Sequence, residues 1–528
     1  MGRAIVARLS GALRGWRGEL AFVFALTVVT AVPRLVLLDS IPSGLHGDEG
    51  WTGLDAQRVL NEGWIGPYVK SALGQPTGPL YFAAPFVDVF GDSIFAVRFP
   101  MALLAIATVP LAYLTFRLMF DRTLASFAAL LLALSLWHLH YSRIGFMVIS
   151  WPLVELLALS FLFLALRSGQ PIAWALAGLA LGAGVYTYNA YPVFPMAVGL
   201  FLVALALGKW GDDLIAHTGG VAFMAAFALL AALPLLLYVV DSGDDYFAHH
   251  RVVSLFETPD WESGAFADRA GLLADSARDF AVAVFWNGAP DATDGAGRVA
   301  MVDRLSLVLI AAGVVMFLRR WREPGRLFAL IALVVIPLGA VVTGSVRGTY
   351  RQSFGLVPFL ALLAAEPLAE VWRRAGDWRP SRRAMGRAGA LALVAAVGFL
   401  SLRFYFGEWE DTRIARFTFA PELTAASLYL RDLDGDPFVY FYSERWAFRY
   451  ETRRYLAAER EGEDRSREFG TFSLARDASR DVVFVFLPSY LEQADAVRRR
   501  YPGGTPVESR DEGGRVQFRA YELPREGD

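Results

Sequence analysis

The first 400 or so residues alternate long apolar runs with short polar connections. A transmembrane helix needs about 20 mainly apolar residues, and most of these runs approach that length. They predict about eleven spans, near residues 20–39, 97–117, 123–140, 147–166, 171–187, 191–208, 215–239, 305–318, 327–343, 354–372 and 388–405. The predicted fold class is therefore an all-α polytopic membrane protein with a small α/β domain after the last span.

Residues 40–96 form one large external loop in this topology. Within it, residues 77–90 are apolar but short and contain two prolines, which favours a re-entrant or interfacial element over a full span. Residues 51–60 mix apolar and polar positions and predict an amphipathic helix on the membrane surface. A second external loop, 241–304, is long for a connector, and long loops are often functional.

The pattern changes beyond residue 406, where the composition becomes charged. Alternating and continuous apolar runs predict strands at 437–443, 481–488 and 516–523 and helices at 421–433 and 490–501. No Gly-x-Gly-x-x-Gly turn follows these strands, so nucleotide binding has no support. We therefore predict two domains, a transmembrane catalytic domain at 1–405 and an extracytoplasmic domain at 406–528.

Charge and composition narrow the class of protein. Arginines cluster at alternate ends of the spans, which by the positive-inside rule places the amino terminus in the cytoplasm and the C-terminal domain outside. The first apolar run should stay as an anchor, because further spans follow it. A net charge of −2 gives no general affinity for nucleic acid, and the absence of cysteine excludes disulfides and thiolate catalysis.

Several motifs in the first external loop carry a family resemblance. His46-Gly47-Asp48-Glu49 places an acidic pair directly after the first span, and the predicted surface helix follows it. A Pro-Leu-Tyr segment, Gly91-Asp92 and Arg98-Phe99-Pro100 come next. Over roughly residues 20–370 the chain resembles the GT-C glycosyltransferases, in the bacterial group related to protein O-mannosyltransferases and the lipid A aminoarabinose transferase.

The resemblance implies an inverting glycosyltransferase on the external face of the membrane. The donor would be a polyprenyl-phosphate-linked sugar, and the acceptor a glycan, lipid or protein hydroxyl. A hydroxyl is a poor nucleophile at neutral pH, so Asp48 is the candidate general base. Glu49 would orient the acceptor or support Asp48. Alternatively, both acids simply begin the surface helix, where negative charge favours the helix dipole.

The lipid phosphate that leaves needs cations near the membrane boundary. The candidate phosphate-binding residues are Arg351, Arg143, Arg347 and Arg34. Tyr350-Arg351 before a proline-containing helix matches an element of related enzymes. Each of these arginines could instead snorkel to the interface, and an arginine inside a span usually has a partner or a cavity.

Other polar residues could contact the substrates. The candidates are His46, His138, Tyr188, Asn189, Tyr350 and Glu155. Glu155 lies within a predicted span and faces either the catalytic cavity or a helix partner, while aromatic residues near 186–191 also fit an interfacial belt. At least one of His138 and His140 is expected to be structural.

A divalent metal is possible, although one acidic pair does not define a coordination sphere.

Two other classes of protein fit the same spans. A transporter or flippase would have a similar number of helices, but should show inverted repeats or charged, broken helices near the midplane. A non-catalytic cell-envelope assembly protein could use the outer domain to bind partners. The sequence shows neither transporter feature clearly, and the assembly protein stays an alternative.

Overall fold

The computed structural model describes residues 2–208, 210–211, 217–289, 295, 297, 299–344, 349–410, 412–466, 476–477 and 479–525. Its contacts define two compact units. The first comprises Met1–Val36, Ile65–Pro79 and Phe99–Trp409, and the second comprises Leu37–Trp64, Leu80–Arg98 and Glu410–Asp528. Parts of the predicted external loop thus belong to the same unit as the C-terminal residues. The division into a membrane domain at 1–405 and an extracytoplasmic domain at 406–528 stays a prediction.

Most of the described chain is helical, with short strands in both units. In chain order the elements are α1 (Gly2–Leu35), α2 (Gly47–Glu62), β1 (Tyr68–Val69), β2 (Gln75–Pro76), α3 (Gly78–Phe90), α4 (Ile94–Met119), α5 (Arg122–Leu134), α6 (Leu136–Ser142), α7 (Ser150–Ser168), α8 (Pro171–Ala183), α9 (Val193–Leu207), α10 (Thr218–Asp241), α11 (Gly243–Val253), α12 (Pro259–Ser263), α13 (Phe266–Val282), α14 (Arg304–Arg319), α15 (Pro324–Val335), α16 (Leu338–Val341), α17 (Thr349–Gln352), α18 (Val357–Ala375), α19 (Pro380–Arg403), α20 (Arg413–Phe419), α21 (Pro421–Asp432), β3 (Phe438–Tyr442), α22 (Glu451–Leu456), β4 (Gly462–Asp464), β5 (Val482–Phe486), α23 (Gln493–Arg500), β6 (Thr505–Arg510) and β7 (Val516–Leu523).

The long apolar helices of the first unit are membrane spans by length and composition. Seven in the described part of the chain qualify: Arg17–Leu35, Ile94–Met119, Met147–Ser168, Thr218–Asp241, Pro324–Val341, Phe354–Ala375 and Pro380–Trp409. An eighth results if α5 and α6, which meet at an angle of 54°, form one bent span. The apolar helices Pro171–Tyr186 and Val193–Leu207 are shorter. The predicted multi-pass membrane protein is confirmed, and the count of eleven spans stays a prediction.

The helix α18 lies at the centre of the first unit and is buried over most of its length, packed against α5 and α14. At the middle of α18, Glu366 is 2% exposed and accepts a hydrogen bond of 2.9 Å from Arg326 of α15. Burial of a carboxylate is costly, and an ion pair of this kind offsets part of that cost. The pair therefore fixes α15 against α18.

The predicted loop at 241–304 is partly helical. It contains α11, α12 and α13, and α13 alone runs for 17 residues. Lys70 reaches this region and pairs with Asp245 at 2.7 Å, an exposed ion pair of small energetic weight. Tyr68 packs its ring against Tyr246 with 5.0 Å between centroids. These contacts hold the start of α11 against the β1–β2 hairpin within the same unit.

The second unit contains a five-stranded sheet in the order β4-β3-β5-β7-β6. The strands β3, β4 and β5 run parallel, while β7 is antiparallel to both β5 and β6. Apolar residues alternate between its two buried faces, with Val439 and Phe441 on one and Tyr440 and Phe484 on the other. The three predicted strands and two predicted helices are confirmed, and together they make the predicted small α/β domain.

The helix α2 packs in the second unit through its smallest residues. Gly50 and Gly53 face α22, and Leu60 on the same helix is 43% exposed. A methyl group on Gly53 would lie 2.3 Å from the ring of Tyr455. The predicted helix is therefore present, but the face that it buries is a glycine face rather than the apolar stripe that the sequence suggested.

Substitution of Gly53 by alanine should destabilise the second unit by about 1–3 kcal/mol, because the added methyl overlaps the Tyr455 ring. Replacing glycine by alanine in a helix normally stabilises it by about 0.5–1 kcal/mol. Gly389 in α19 has nothing within 4 Å of its added methyl and supplies the matched control. Thermal unfolding of the two purified variants would show opposite signs. Equal unfolding temperatures would contradict the close packing of α2 on α22.

Candidate functional site

The predicted acidic pair lies in the first turn of α2, in the second unit. His46 is the N-cap residue, and its Nδ1 accepts a hydrogen bond of 2.9 Å from the backbone N–H of Asp48. Glu49 Oε2 accepts a bond of 2.9 Å from the backbone N–H of His46. This reciprocal arrangement satisfies two N–H groups that a helix start otherwise leaves unpaired. It brings the predicted residues His46, Asp48 and Glu49 together in one rigid turn.

Arg98 fixes this turn through hydrogen bonds to Glu49 and to the chain segment before it. Both Arg98 and Glu49 are 0% exposed, and they form two parallel bonds, Nε to Oε1 at 2.8 Å and Nη2 to Oε2 at 3.1 Å. The remaining guanidinium N–H groups donate to the carbonyls of Leu38, Pro42 and Gly44 at 2.6–3.2 Å. Sequence reasoning assigned no role to Arg98, although its Arg-Phe-Pro motif contributed to the resemblance. Of the two roles open to Glu49, this geometry favours support of Asp48.

Asp48 differs from its neighbour in exposure. Its side chain is 34% exposed, against 0% for Glu49. One carboxylate oxygen lies 3.9 Å from His46 Nδ1. Because a buried ion pair fixes the surrounding turn, the Asp48 carboxylate is exposed to solvent in a defined orientation. That arrangement suits a group that must reach a substrate proton.

Two candidate arginines of the first unit meet at the end of α1. Arg34 is 0% exposed and donates to the carbonyls of Thr30 and Ala133 at 2.9 and 3.1 Å. Arg143, also 0% exposed, donates to the carbonyl of Pro33 at 2.7 Å, and its guanidinium carbon lies 4.8 Å from the centroid of the Phe406 ring. Arg143 thus bonds to the residue next to Arg34, and two buried cations this close create a local positive field, which favours an anion.

The histidines nearby have structural contacts. His138 is 0% exposed, its Nδ1 lies 2.8 Å from Arg34 Nη2, and its ring stacks on Phe354 with 6.2 Å between centroids. The Arg34 contact requires an unprotonated Nδ1. His140 packs edge-on against Trp409 at 4.9 Å. The structure therefore places His138 as a partner of a candidate phosphate-binding arginine.

The residues of the Tyr350-Arg351 element have different surroundings. Tyr350 is 0% exposed, and its hydroxyl accepts a bond of 2.8 Å from Ala289 N–H and donates one of 3.2 Å to the carbonyl of Ala283. The guanidinium carbon of Arg351 lies 5.2 Å from the centroid of the Phe146 ring. Arg347 lies outside the described residues. Tyr350 thus anchors the segment that carries Arg351.

A cavity of about 420 Å³ in the first unit brings together two further candidates, Tyr188 and Asn189. Asn189 donates from Nδ2 to the carbonyl of Gly74 at 2.9 Å. The rest of the lining comes from α9, α11, α16 and α17 and the residues beside them: Ala190, Pro192, Val193, Tyr246, Phe247, His250, Val253, Ser254, Phe256, Gly339, Val342, Thr343 and Gln352. A volume of this size lies within the usual range for small-molecule sites.

The polar groups of this cavity are uncharged at neutral pH. Burial lowers the pKa of His250, and burial raises the pKa of Tyr246. Thr343 Oγ1 donates to Gln352 Oε1 at 2.5 Å. His250, Thr343 and Gln352 were not among the residues predicted from the sequence. Only the position of Gln352, next to Arg351, could have signalled its part in the lining.

Glu155 lies apart from that cavity. It is 0% exposed in α7, and neither carboxylate oxygen accepts a hydrogen bond from the described residues. Its Oε2 would lie 2.7 Å from a methyl group on Gly355, and it is not among the residues that line the cavity. Its predicted contact with substrate stays a prediction.

No group of three or more His, Cys, Asp or Glu side chains with metal-binding geometry occurs among the residues that the structure describes. Asp48 and Glu49 differ in exposure and point to different partners, as the Arg98 ion pair shows.

Comparison with known proteins places these features in a family context. Residues 74–238 match the model of the dolichyl-phosphate-mannose-protein mannosyltransferase family. An undecaprenyl phosphate-alpha-4-amino-4-deoxy-L-arabinose arabinosyl transferase of Pseudomonas fluorescens (strain Pf0-1) is 27% identical over 240 residues, 43% of this chain and 43% of that protein. A second such enzyme, from strain Pf-5, is 28% identical over 221 residues, 39% of each chain. The chain thus matches less than half the length of these relatives.

Two solved structures share the fold over almost the whole chain. The ArnT structure from Cupriavidus metallidurans, bound to undecaprenyl phosphate, has a TM-score of 0.56 and 14% identity, and the match covers 96% of this chain and 98% of ArnT. The oligosaccharyltransferase of Archaeoglobus fulgidus has a TM-score of 0.56 and 13% identity, with 97% and 75% covered. At such low identity these matches establish the fold alone.

Proposed function

We propose that this protein is a polyprenyl-phosphate-sugar-dependent glycosyltransferase, and its similarity to aminoarabinose transferases and to the ArnT fold supports the proposal. The observation that carries the proposal is the acidic turn. A buried Glu49–Arg98 pair fixes it, and Asp48 stays accessible. The similar Pseudomonas enzymes are named as arabinosyl transferases that act on an undecaprenyl-phosphate-linked aminoarabinose, and the ArnT structure is bound to undecaprenyl phosphate.

The proposed reaction is one inverting displacement. The oxygen of an acceptor hydroxyl attacks the anomeric carbon, and the bond from that carbon to the phosphate oxygen breaks. Asp48 takes the hydroxyl proton, which avoids an unstable oxonium product. Polyprenyl phosphate leaves with the electron pair of the broken bond. Glu49 would act as a positioning residue, because its bonds to Arg98 and to the backbone N–H of His46 fix the turn that carries Asp48.

Arginines would stabilise the phosphate as its charge develops. Arg143 and Arg34 supply buried positive charge at the end of α1, and Arg351 supplies a third cation. Arg347 is a fourth candidate by its place in the sequence. Charge-assisted hydrogen bonds from guanidinium groups are among the strongest that proteins make with phosphate. The donor sugar would bind in the cavity beside Tyr188 and Asn189.

The orientation also belongs to this proposal. Arginine clusters such as Arg319, Arg320 and Arg322 support a cytoplasmic amino terminus and an extracytoplasmic C-terminal domain. Residues 1–405 would then form the catalytic membrane domain and residues 406–528 the outer domain. The acceptor, a glycan, lipid or protein hydroxyl, would be reached from outside the cytoplasm.

The direct test is transfer from radiolabelled polyprenyl-phosphate sugars by the purified protein in lipid nanodiscs. We expect transfer, or slow hydrolysis of at least one donor, by the wild type. If no donor from a panel of hexose, pentose and aminosugar derivatives binds or reacts, the transferase proposal is wrong. Vesicle assays of lipid flipping and substrate uptake would then test the transporter class.

Substitution of Asn189 by alanine should raise the KM for the donor about tenfold with a smaller effect on kcat, because it removes hydrogen-bonding groups from the cavity wall. Initial rates at varied donor concentration measure this. Asn287 is exposed and does not line the cavity, so Asn287→Ala is the matched control. An unchanged KM in folded Asn189→Ala would remove the cavity from the donor site.

A further inference from the structure

Four side chains of the second unit pack in a row, called here the column, that ends on the acidic turn: Phe417, Arg445, Trp446 and Tyr450. The Arg445 guanidinium carbon lies 3.2 Å from the centroid of the Phe417 ring and 4.0 Å from that of Trp446. The rings of Trp446 and Tyr450 are 4.7 Å apart. The Tyr450 hydroxyl packs on Gly47, where an added methyl would lie 2.4 Å from it. Gly47 directly precedes Asp48, so the column connects the candidate base to the domain surface.

The column is held in place before any ligand binds. Trp446 is 8% exposed, and its Nε1 donates to Glu422 at 3.1 Å. The backbone N–H groups of Arg445 and Trp446 both donate to Ser443 Oγ, at 3.2 and 2.9 Å. Arg445 also donates from Nη2 to the carbonyl of Phe417. A ligand would therefore meet a preorganised surface, which lowers the entropic cost of binding.

The outer end of the column is open to solvent. The Phe417 ring is 48% exposed, and Arg445 is exposed beside it. An exposed aromatic ring offers a flat apolar face, and a guanidinium fixed by stacking offers a rigid fork of N–H donors. Farther along the column, burial and the nearby charges of Glu451 and Asp48 raise the pKa of Tyr450 to about 12. Its hydroxyl therefore remains a proton donor at neutral pH.

A sugar ring has the complementary chemistry. One face of a pyranose carries C–H groups and is apolar, while its rim carries hydroxyls that accept and donate hydrogen bonds. We propose that the column of Phe417, Arg445, Trp446 and Tyr450 is a saccharide-binding surface that recognises the acceptor. The first sugar ring would stack on Phe417 and its oxygens would bind Arg445, while the next sugars of the same chain would extend toward Asp48. This assignment to the acceptor rests on the proposed transferase function, whereas saccharide binding itself does not.

The test is donor-free binding of the full-length protein in nanodiscs to an array of immobilised oligosaccharides. We expect the wild type to be retained on a subset of glycans. Phe417→Leu keeps apolar volume without the ring, and Arg445→Lys keeps charge without the planar fork, and each should lower retention at least about tenfold. Arg500 is exposed, with its guanidinium 5.5 Å from the Tyr501 ring in the same unit, so Arg500→Lys should bind normally.

Two results would overturn the proposal. One is a wild type that binds no saccharide above the level of empty nanodiscs. The other is normal binding by both Phe417→Leu and Arg445→Lys when their unfolding temperatures match the wild type. Glycan binding without consumption of any polyprenyl-phosphate donor would refute the transferase function and leave the surface assignment standing. The two proposals can therefore fail separately.

Discussion

Replacement of Asp48 by asparagine is expected to slow sugar transfer by about 10²–10⁴-fold, with folding and donor binding retained. The amide preserves the size of the side chain but cannot take the acceptor proton. Because the carboxylate is 34% exposed and lies outside the buried Glu49–Arg98 pair, its loss should leave the turn intact. Single-turnover transfer of radiolabelled sugar in nanodiscs measures the rate, and lipid-donor titration measures binding.

The matched control is Asp39→Asn, which removes an exposed carboxylate from the chain segment before the acidic turn. It should transfer sugar at the wild-type rate. Full activity of folded Asp48→Asn would show that Asp48 is not the base. Loss of donor binding together with activity would instead assign Asp48 to substrate binding, since a base contributes mainly to the chemical step.

The membrane spans were predictable because hydropathy is a local property. The predicted span 97–117 is observed within Ile94–Met119, and 354–372 within Phe354–Ala375. The same approach missed the helices between 241 and 304, where polar and apolar residues alternate without a long apolar run. The helix α13 has one buried residue, Phe280, so little hydrophobic signal marks it.

In the sheet, too, only the strands with a clear local apolar pattern were predicted. The central strands β3 and β5 are apolar and were predicted, while β4 and β6 were not. Both unpredicted strands lie at the edges of the sheet and expose most of their residues. Edge strands are commonly polar and short, which removes the alternation that identifies a strand.

The candidate site was only partly predictable from sequence. Asp48 and Glu49 were identified by position, but their distinct surroundings depend on Arg98, which lies 49 residues from Glu49 along the chain. Likewise, the glycines of α2 weaken a helix prediction, although they allow the close contact with α22. Contacts between distant residues decide these points, and a single sequence does not contain them in a local pattern.

Removal of Arg98 is expected to destabilise the protein by about 3–5 kcal/mol, because Arg98→Met leaves Glu49 buried and unpaired. It also removes three hydrogen bonds to the carbonyls of the segment before α2. The double variant Arg98→Met/Glu49→Leu removes both charges and should recover part of that loss. Denaturant or thermal unfolding in detergent gives the change in the free energy of unfolding for each of the two variants relative to the wild type.

Activity should not recover together with stability. The double variant still lacks the Glu49 bond to His46 N–H, so the turn that presents Asp48 remains loosened and transfer should stay low. Arg431→Met in α21 of the same unit is the matched control, because Arg431 is 42% exposed and pairs with the exposed Asp432, and such surface pairs contribute about 0–1 kcal/mol. If Arg98→Met is as stable and active as Arg431→Met, the buried pair does not hold the site. If the double variant recovers both stability and transfer activity, the buried ion pair contributes to folding alone. Asp48 would then need no support from Glu49.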